Sequence, residues 1–179
     1  MPDKQPTTPV PRPLVGLFAG VAAGLAASAA MALFQAKAAP LFGADEGKGD
    51  PATVKAADAV ATGVKGSPLP KEWRPPAGQL VHYAVGAGLG GLYGLITEYR
   101  PGASAGFGSA YGVVTSALLD EGAVPAVGLG GKPWETPLGV HGYGLASHLV
   151  YGTVLEGARA LLGGRRLAHS RHKGKRMQK

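Results

Sequence analysis

The sequence predicts an all-α membrane protein in which four transmembrane helices form a bundle and one short amphipathic helix lies at the surface. Three observations predict this fold class. Charged residues make up only 16% of the 179 residues, against roughly 25% in soluble domains. Four separate stretches contain no charged residue, and each has about the 20 residues that a helix needs to cross the hydrocarbon core. Glycine reaches 30 residues and repeats at helical spacing.

The composition also excludes several other classes of protein. Hydrophobic residues at 45% exclude an intrinsically disordered chain, which has low hydrophobicity and high charge. The lack of cysteine excludes disulfides, thiol catalysis and cysteine-ligated metal sites. The segment Gly86–Gly91 fits the G-x-G-x-x-G pattern of dinucleotide-binding proteins. Because Arg100 and Pro101 follow too soon for the crossover helix of that fold, we expect no dinucleotide site.

The predicted membrane domain covers residues 14–163, and its four spans are residues 14–36, 78–97, 102–120 and 137–162. The long loop 37–77 contains the amphipathic helix, residues 51–65, because apolar residues recur there at helical spacing. Trp73 and Trp134 precede the second and fourth spans, where tryptophan commonly anchors a helix at the interface. A cleavable signal peptide is the alternative for the first span, but its apolar run exceeds the roughly 7–15 residues of such peptides.

The two tails determine the expected orientation. Residues 1–13 form a proline-rich tail, and residues 164–179 form a basic tail without acidic residues. Because short basic flanks stay in the cytoplasm, the basic tail is expected there. Four spans return the chain to the side on which it began, so we predict that both termini are cytoplasmic. Five basic side chains of the second tail are candidate ligands for anionic lipid headgroups: Arg165, Arg166, Lys173, Lys175 and Arg176. We expect no nucleic-acid binding, because this tail has no aromatic residues and adjoins a span.

Small residues recur at four-residue intervals in the first three predicted spans, and Gly144 and Gly152 lie eight residues apart in the fourth, so they share one face of each helix. In lipid there is no hydrophobic force between helices, and close backbone contact through small residues takes its place. We therefore predict that these residues mediate helix packing: Gly16, Gly20, Gly24, Ser28, Gly86, Gly90, Gly94, Gly108, Gly112, Gly144 and Gly152.

Five ionisable side chains are expected together at the outer ends of three spans: His82, Asp120, Glu121, His141 and His148. Ionisable groups inside a membrane are costly, so each is a candidate for function. Three interpretations remain open. The cluster could pin the helices together by hydrogen bonds, or relay protons or ions, since histidine titrates near neutral pH. A divalent metal such as zinc could also be held by His82, Asp120, His141 and His148.

The sequence makes two further predictions, one about a loop and one about an ion pair. The apolar, proline-broken segment 121–137 is predicted to be a structured re-entrant loop that covers the His/carboxylate cluster. Glu156 and Arg159 are three residues apart at the cytoplasmic end of the fourth span. This spacing predicts a local ion pair on one helix face.

Short segments between residues 14 and 162, outside the long loop, carry a family resemblance. They are Met31–Gln35, His82–Tyr83, Gly90–Gly94, Asp120–Glu121, Val124–Pro125, Gly128–Leu129 and His148–Gly152. Together they resemble the YagU-like family of bacterial inner-membrane proteins. The resemblance implies a multi-pass protein of the bacterial inner membrane in which Asp120, Glu121 and His148 belong to a recurring pattern. It implies no established biochemical activity.

Two functional hypotheses follow from the sequence. The favoured one is a structural or accessory subunit of a membrane assembly without catalytic activity of its own, because helix-packing faces are abundant and catalytic motifs are not. The alternative is a small transport or ion- and proton-handling protein that uses the His/carboxylate cluster, and a membrane metalloenzyme ranks third. The expected partners are the lipid bilayer and other membrane subunits or a second copy of the chain. No cofactor is expected unless the cluster binds zinc.

Overall fold

The computed structural model describes residues 10–44 and 49–164, and within these ranges the chain forms helices and turns without any strand. The all-helical prediction is therefore confirmed for this part of the chain. The five longest helices are α1 (Pro13–Ala38), α2 (Ala52–Lys65), α3 (Arg74–Tyr99), α4 (Ser109–Leu118) and α5 (Leu138–Leu161). Most of the proline-rich tail, residues 1–9, and the five basic side chains between Arg165 and Arg176 lie outside the described residues.

Proline and glycine set most of the helix ends. Pro13 begins α1, where a missing backbone N–H costs nothing in the first turn. Gly66 ends α2 in the left-handed conformation with φ of 72°, and its N–H donates to the carbonyl of Thr62. The helix α2 thus covers nearly the same residues as the predicted surface helix 51–65. Pro51 occupies its N-cap position without a side-chain hydrogen bond, and the carboxylate of the preceding Asp50 pairs with Arg74 at 2.9 Å.

The third predicted span, residues 102–120, starts later in the structure than the sequence indicates. Pro101–Ser104 forms a 3₁₀ turn, and Gly106, Phe107 and Gly108 follow with φ of 63°, 55° and 82°. Three successive positive φ values are incompatible with a right-handed helix, so α4 begins at Ser109. The helix then widens into a π turn, Leu119–Ala123, which contains Asp120 and Glu121.

The long helices run antiparallel to their main neighbours. At one end, called the Glu98 end, the backbone N–H of Arg12 before α1 donates to Glu98 Oε2 near the end of α3 at 2.9 Å. The Arg12 guanidinium also donates to the Gly163 carbonyl after α5 at 2.7 Å. At the opposite end, called the Asp120 end, Tyr143 of α5 donates to the carbonyl of Gln35 in α1 at 3.2 Å. Helix α1 therefore packs on both α3 and α5, while α4 packs on α5 and α2 on α3.

Glycines bring the backbones of α1 and α3 into direct contact. A Cβ atom added at Gly20 would collide with the carbonyl oxygen of Gly90, and one added at Gly90 would collide with that of Gly20. The same reciprocal relation holds between Gly16 and Gly94. Gly24 and Gly86 continue the interface, and Ser28 lies against Gly86. This side-by-side arrangement of small residues is how helices approach most closely.

A second glycine interface joins α4 to α5. Gly108 and Gly152 face each other, so that a Cβ on either would meet the other's carbonyl oxygen. One turn further along, a Cβ at Gly112 would meet the carbonyl oxygen of His148. The positive φ of Gly108 adds a second reason for glycine at that position.

The distribution of apolar side chains is unusual for a chain of this size. The buried positions hold mostly small residues such as Ala23 and Ala27, both without exposed surface, together with a few tyrosines and Leu155. Large apolar side chains lie outside instead: Phe18 is 68% exposed, Leu80 71% and Leu138 88%. Large exposed apolar surface marks a site of contact with protein or membrane.

Two helical segments, Pro13–Phe42 and Lys71–Tyr99, are long and apolar enough to cross a membrane. These segments contain α1 and α3, which correspond to the first and second predicted spans. Within residues 10–44 and 49–164, the same measure of length and hydropathy does not select α4 or α5. A membrane-spanning helical protein is therefore compatible with the structure, while the third and fourth spans stay predictions.

Candidate functional site

Asp120 and His148 meet where the π turn after α4 faces the middle of α5. Asp120 Oδ2 lies 3.3 Å from His148 Nε2 and accepts a hydrogen bond from the Ser116 hydroxyl at 3.2 Å. The other ring nitrogen of His148, Nδ1, lies 3.3 Å from Thr115 Oγ1. The imidazole is 8% exposed, whereas the Asp120 side chain is 36% exposed. The pair therefore joins a buried ring to a carboxylate that is partly exposed, on the surface of the half-open cavity described below.

Gly144 explains how α5 approaches Asp120 so closely. A Cβ atom at this position would lie 2.8 Å from Asp120 Oδ2, which is shorter than an ordinary van der Waals contact. Gly144 therefore keeps the space beside the carboxylate open. The three atoms nearest to this Cβ position all belong to the Asp120 side chain, so Gly144 packs against a side chain rather than against a neighbouring backbone.

Glu121 and His141 form a second carboxylate–imidazole pair nearer the start of α5. Glu121 Oε1 lies 2.6 Å from His141 Nδ1, and His141 Nε2 lies 3.0 Å from the carbonyl oxygen of Pro133. Both ring nitrogens thus face hydrogen-bond acceptors, and only a doubly protonated ring donates to both. This pair ties the loop before α5 to the π turn after α4.

His82 lies apart from both pairs. Its Nε2 atom is 3.1 Å from the carbonyl oxygen of Ser28 in α1, and a carbonyl accepts, so this nitrogen is the donor. The four metal candidates His82, Asp120, His141 and His148 are therefore divided among three different contacts. Among residues 10–44 and 49–164, no three His, Asp or Glu side chains are grouped as a metal site requires. The zinc hypothesis gains no geometric support from this arrangement.

A half-open cavity of about 950 Å³ connects His82 with the Asp120–His148 pair at the Asp120 end. Its walls come from α1, α2, α3 and α5 and from the π turn after α4. Gln35, Tyr143 and Tyr151 are further polar residues on its surface. The sequence predicted that the three ionisable residues lie on one side of the molecule, but it gave no sign of this cavity.

The predicted loop 121–137 is structured throughout. After the π turn, Val124–Ala126 forms one helical turn, and the backbone N–H of Leu129 donates to the carbonyl of Val124 at 3.0 Å. Pro133–Glu135 forms a 3₁₀ turn before α5. Val124 and Leu129 line the same cavity as Asp120 and His148.

The Glu98 end contains a buried polar network that sequence reasoning largely missed. Arg159 donates through Nε and Nη2 to the two carboxylate oxygens of Glu156, both at 2.9 Å, as the three-residue spacing predicts. The pair is buried rather than superficial, with Arg159 0% and Glu156 4% exposed. Tyr93 of α3 donates to the same Glu156 carboxylate at 2.9 Å.

Glu98 is the second missed residue. Its side chain is fully buried, and it accepts from the backbone N–H of Arg12 at the start of α1. An acidic group beside a helix N-terminus is favoured by the helix dipole. The only sequence signal is that Glu98 directly follows a charge-free span, and that position suggested a loop residue.

The comparisons with known proteins give no further identification. No protein-family model matches the chain. Comparisons with curated proteins and with solved structures find no match either. The class of protein defined so far is a helical protein in which two helices are long and apolar enough to cross a membrane.

Proposed function

We propose that the chain is a four-span protein of the bacterial inner membrane, similar to the YagU-like family, with both termini in the cytoplasm. The observation that carries this proposal is the inverted distribution of side chains, with small residues inside and large apolar residues outside. In water such a molecule would expose much of the apolar surface that drives soluble folding. In lipid the same surface is matched to its surroundings.

The antiparallel order of α1, α3, α4 and α5 supports the same proposal. Both described chain ends, Val10 and Gly164, lie near the Glu98 end, where Arg12 contacts Gly163. The basic tail follows directly from that end. Because basic flanks stay in the cytoplasm, the Glu98 end would be the cytoplasmic one and the Asp120 end the outer one.

Within the membrane, we propose a structural or accessory role without catalytic activity. Glycine contacts bring the helix backbones together along two interfaces and give a closely packed helical body. Such a body fits a subunit that packs against other membrane subunits or a second copy through its exposed apolar faces.

Native mass spectrometry of the full-length protein, extracted in mild detergent from its own membranes, tests the accessory role. The expected result is a defined stoichiometric assembly that contains a second subunit or a second copy. A matched control repeats the experiment at high detergent concentration, where weak lipid-mediated association is lost but a specific interface persists. A monomer under both conditions would contradict the accessory role, and a protein that fractionates without membranes would contradict the membrane assignment itself.

A second candidate function, proton or ion handling, is favoured by the two carboxylate–imidazole pairs. Asp120–His148 and Glu121–His141 lie next to each other on the π turn, and the first opens into the cavity. Histidine beside a carboxylate exchanges protons near neutral pH. In proteoliposomes with an internal pH dye, proton leakage above that of empty vesicles and loss of it in Asp120→Asn would support this function. Equal proton leakage with the unmodified protein and with the Asp120→Asn variant would contradict this function.

A further inference from the structure

The cavity at the Asp120 end combines apolar walls with a small number of polar groups. Its volume of about 950 Å³ lies within the range of roughly 300–1,000 Å³ that is typical of small-molecule sites. Much of its surface comes from apolar side chains, including Met31, Val85, Leu89 and Leu129. We propose that this cavity binds a small amphipathic cation, a molecule with an apolar body and one ammonium head. This site goes beyond the accessory role and does not depend on it.

The charges around the cavity favour a cation over an anion. Three lining residues carry full charges: Asp50, Arg74 and Asp120. The Arg74 guanidinium lies 2.9 Å from Asp50 and 3.5 Å from Asp58, so two carboxylates already face the single positive group. Asp120 lies deeper, beside His148. Among the lining residues two carboxylates thus accompany one guanidinium, and that guanidinium is also paired with Asp58 outside the lining, so the surplus charge of the cavity wall is negative.

Asp120 is the group that would hold the ammonium head. Both of its contacts, with Ser116 and His148, use the same oxygen, Oδ2. Within residues 10–44 and 49–164, Oδ1 forms no hydrogen bond or ion pair. The carboxylate is 36% exposed and lies on the cavity surface, so a ligand can reach it. Hydrogen bonds between an ammonium and a carboxylate are about twice as strong as neutral ones.

Ser28 marks the place where the cavity wall meets the α1–α3 interface. The side chain is 1% exposed and lines the cavity between α1 and α3. Its hydroxyl oxygen has no hydrogen-bond partner among the described residues. Buried polar groups are normally hydrogen-bonded, and an exception needs an explanation. Here the oxygen is packed against Gly86 of α3 at the α1–α3 interface.

Three matched probes test the proposal: 4-phenylbutylamine, 4-phenylbutanol and 4-phenylbutyrate, which share one apolar body and differ in head charge. Binding to the full-length protein in phosphatidylcholine nanodiscs is measured by equilibrium dialysis, and nanodiscs without protein correct for partitioning into lipid. We expect the amine to bind saturably, one per chain. The alcohol binds about tenfold more weakly because it loses the charge-assisted bond, and the carboxylate binds more weakly still.

Two variants locate the site. Asp120→Asn keeps the side-chain size and should reduce amine binding about tenfold, to the level of the alcohol. Glu135→Gln is the matched control, because it removes one acidic charge at the same end, and the Glu135 carboxylate pairs with Lys132 at the exposed surface. It should leave binding unchanged. Equal binding of amine and alcohol, unchanged amine binding in Asp120→Asn, or no saturable binding would each overturn the proposal. If Asp120→Asn does not fold, the ranking of the three probes on the unmodified protein decides.

Discussion

The closest approach of two helices in this molecule gives its sharpest test. Gly90 lies in the middle of the α1–α3 interface. A Cβ atom at this position would collide with the carbonyl oxygen of Gly20 and would lie 2.7 Å from Gly24 Cα and 3.0 Å from Gly24 N. All three atoms belong to the backbone of α1, so no side-chain rotation can relieve the contact. Gly90→Ala therefore forces the two helices apart.

The size of this displacement follows from the distances. Nonbonded carbon atoms prefer separations of about 3.5–4.0 Å, so α1 and α3 must separate by about 1 Å around Gly90. With a gap of that size, the contacts between α1 and α3 on either side of Gly90 lose roughly a quarter to a half of their dispersion energy. Overpacking of this kind typically costs about 1–3 kcal/mol. Because alanine favours the helix over glycine by up to about 1 kcal/mol, the net loss is somewhat smaller.

The assay is unfolding by SDS in mixed micelles, followed by circular dichroism. Gly88→Ala is the control, since Gly88 lies on the same helix and a Cβ atom there would meet nothing within 4 Å. We expect Gly88→Ala to match or exceed the stability of the unmodified protein and Gly90→Ala to unfold at lower SDS. Equal stability of the two variants would refute the view that backbone contact through glycine holds α1 and α3 together.

Three further outcomes are expected in the same assay. Glu156→Gln keeps the size of the side chain but replaces its charge-assisted bonds to the buried Arg159 guanidinium with neutral ones, and should cost about 1.5–3 kcal/mol; an unchanged SDS midpoint would contradict this. Tyr93→Phe removes one hydrogen bond to the same carboxylate and should cost about 1.5–3 kcal/mol, and an unchanged SDS midpoint would count against the bond. Lys132→Ala removes a pair that is more than half exposed and should change the free energy of unfolding by less than about 1 kcal/mol; a larger change would show that this loop is more tightly coupled to α5 than its exposure indicates.

The positions of α1, α3 and α5 could be predicted to within a few residues because their signals are local. A charge-free stretch marks the body of each helix, and a nearby proline or charged residue marks its end. The start of α4 could not be predicted from charge alone. The positive φ values from Gly106 to Gly108 interrupt a stretch that has the same composition as a helix. Counting charges does not detect a backbone conformation.

For the candidate site, the sequence could predict which residues lie at the same end of the helices, but not which side chains contact each other. Placing Asp120 and His148 at one end required nothing more than the up-and-down order of the helices. Whether His82 would face the same carboxylate depended on the rotation of α3, which the glycine interface with α1 determines. In the structure that rotation turns the His82 ring toward the carbonyl of Ser28. Glu98 was missed because its partner, the start of α1, lies 86 residues away in the sequence.

The π turn explains how two consecutive carboxylates serve two histidines at different depths. His141 and His148 are seven residues apart on α5, which corresponds to about 10.5 Å along a helix axis. Asp120 and Glu121 are adjacent, yet each contacts one of these rings. A π turn is an extra residue within a helix, and such turns are frequent at functional sites. Here it widens the helix where the two side chains diverge, so that Asp120 lines the cavity beside His148 and Glu121 contacts His141 near the start of α5. The same local irregularity thus joins the structural contact at His141 to the candidate ligand site at Asp120.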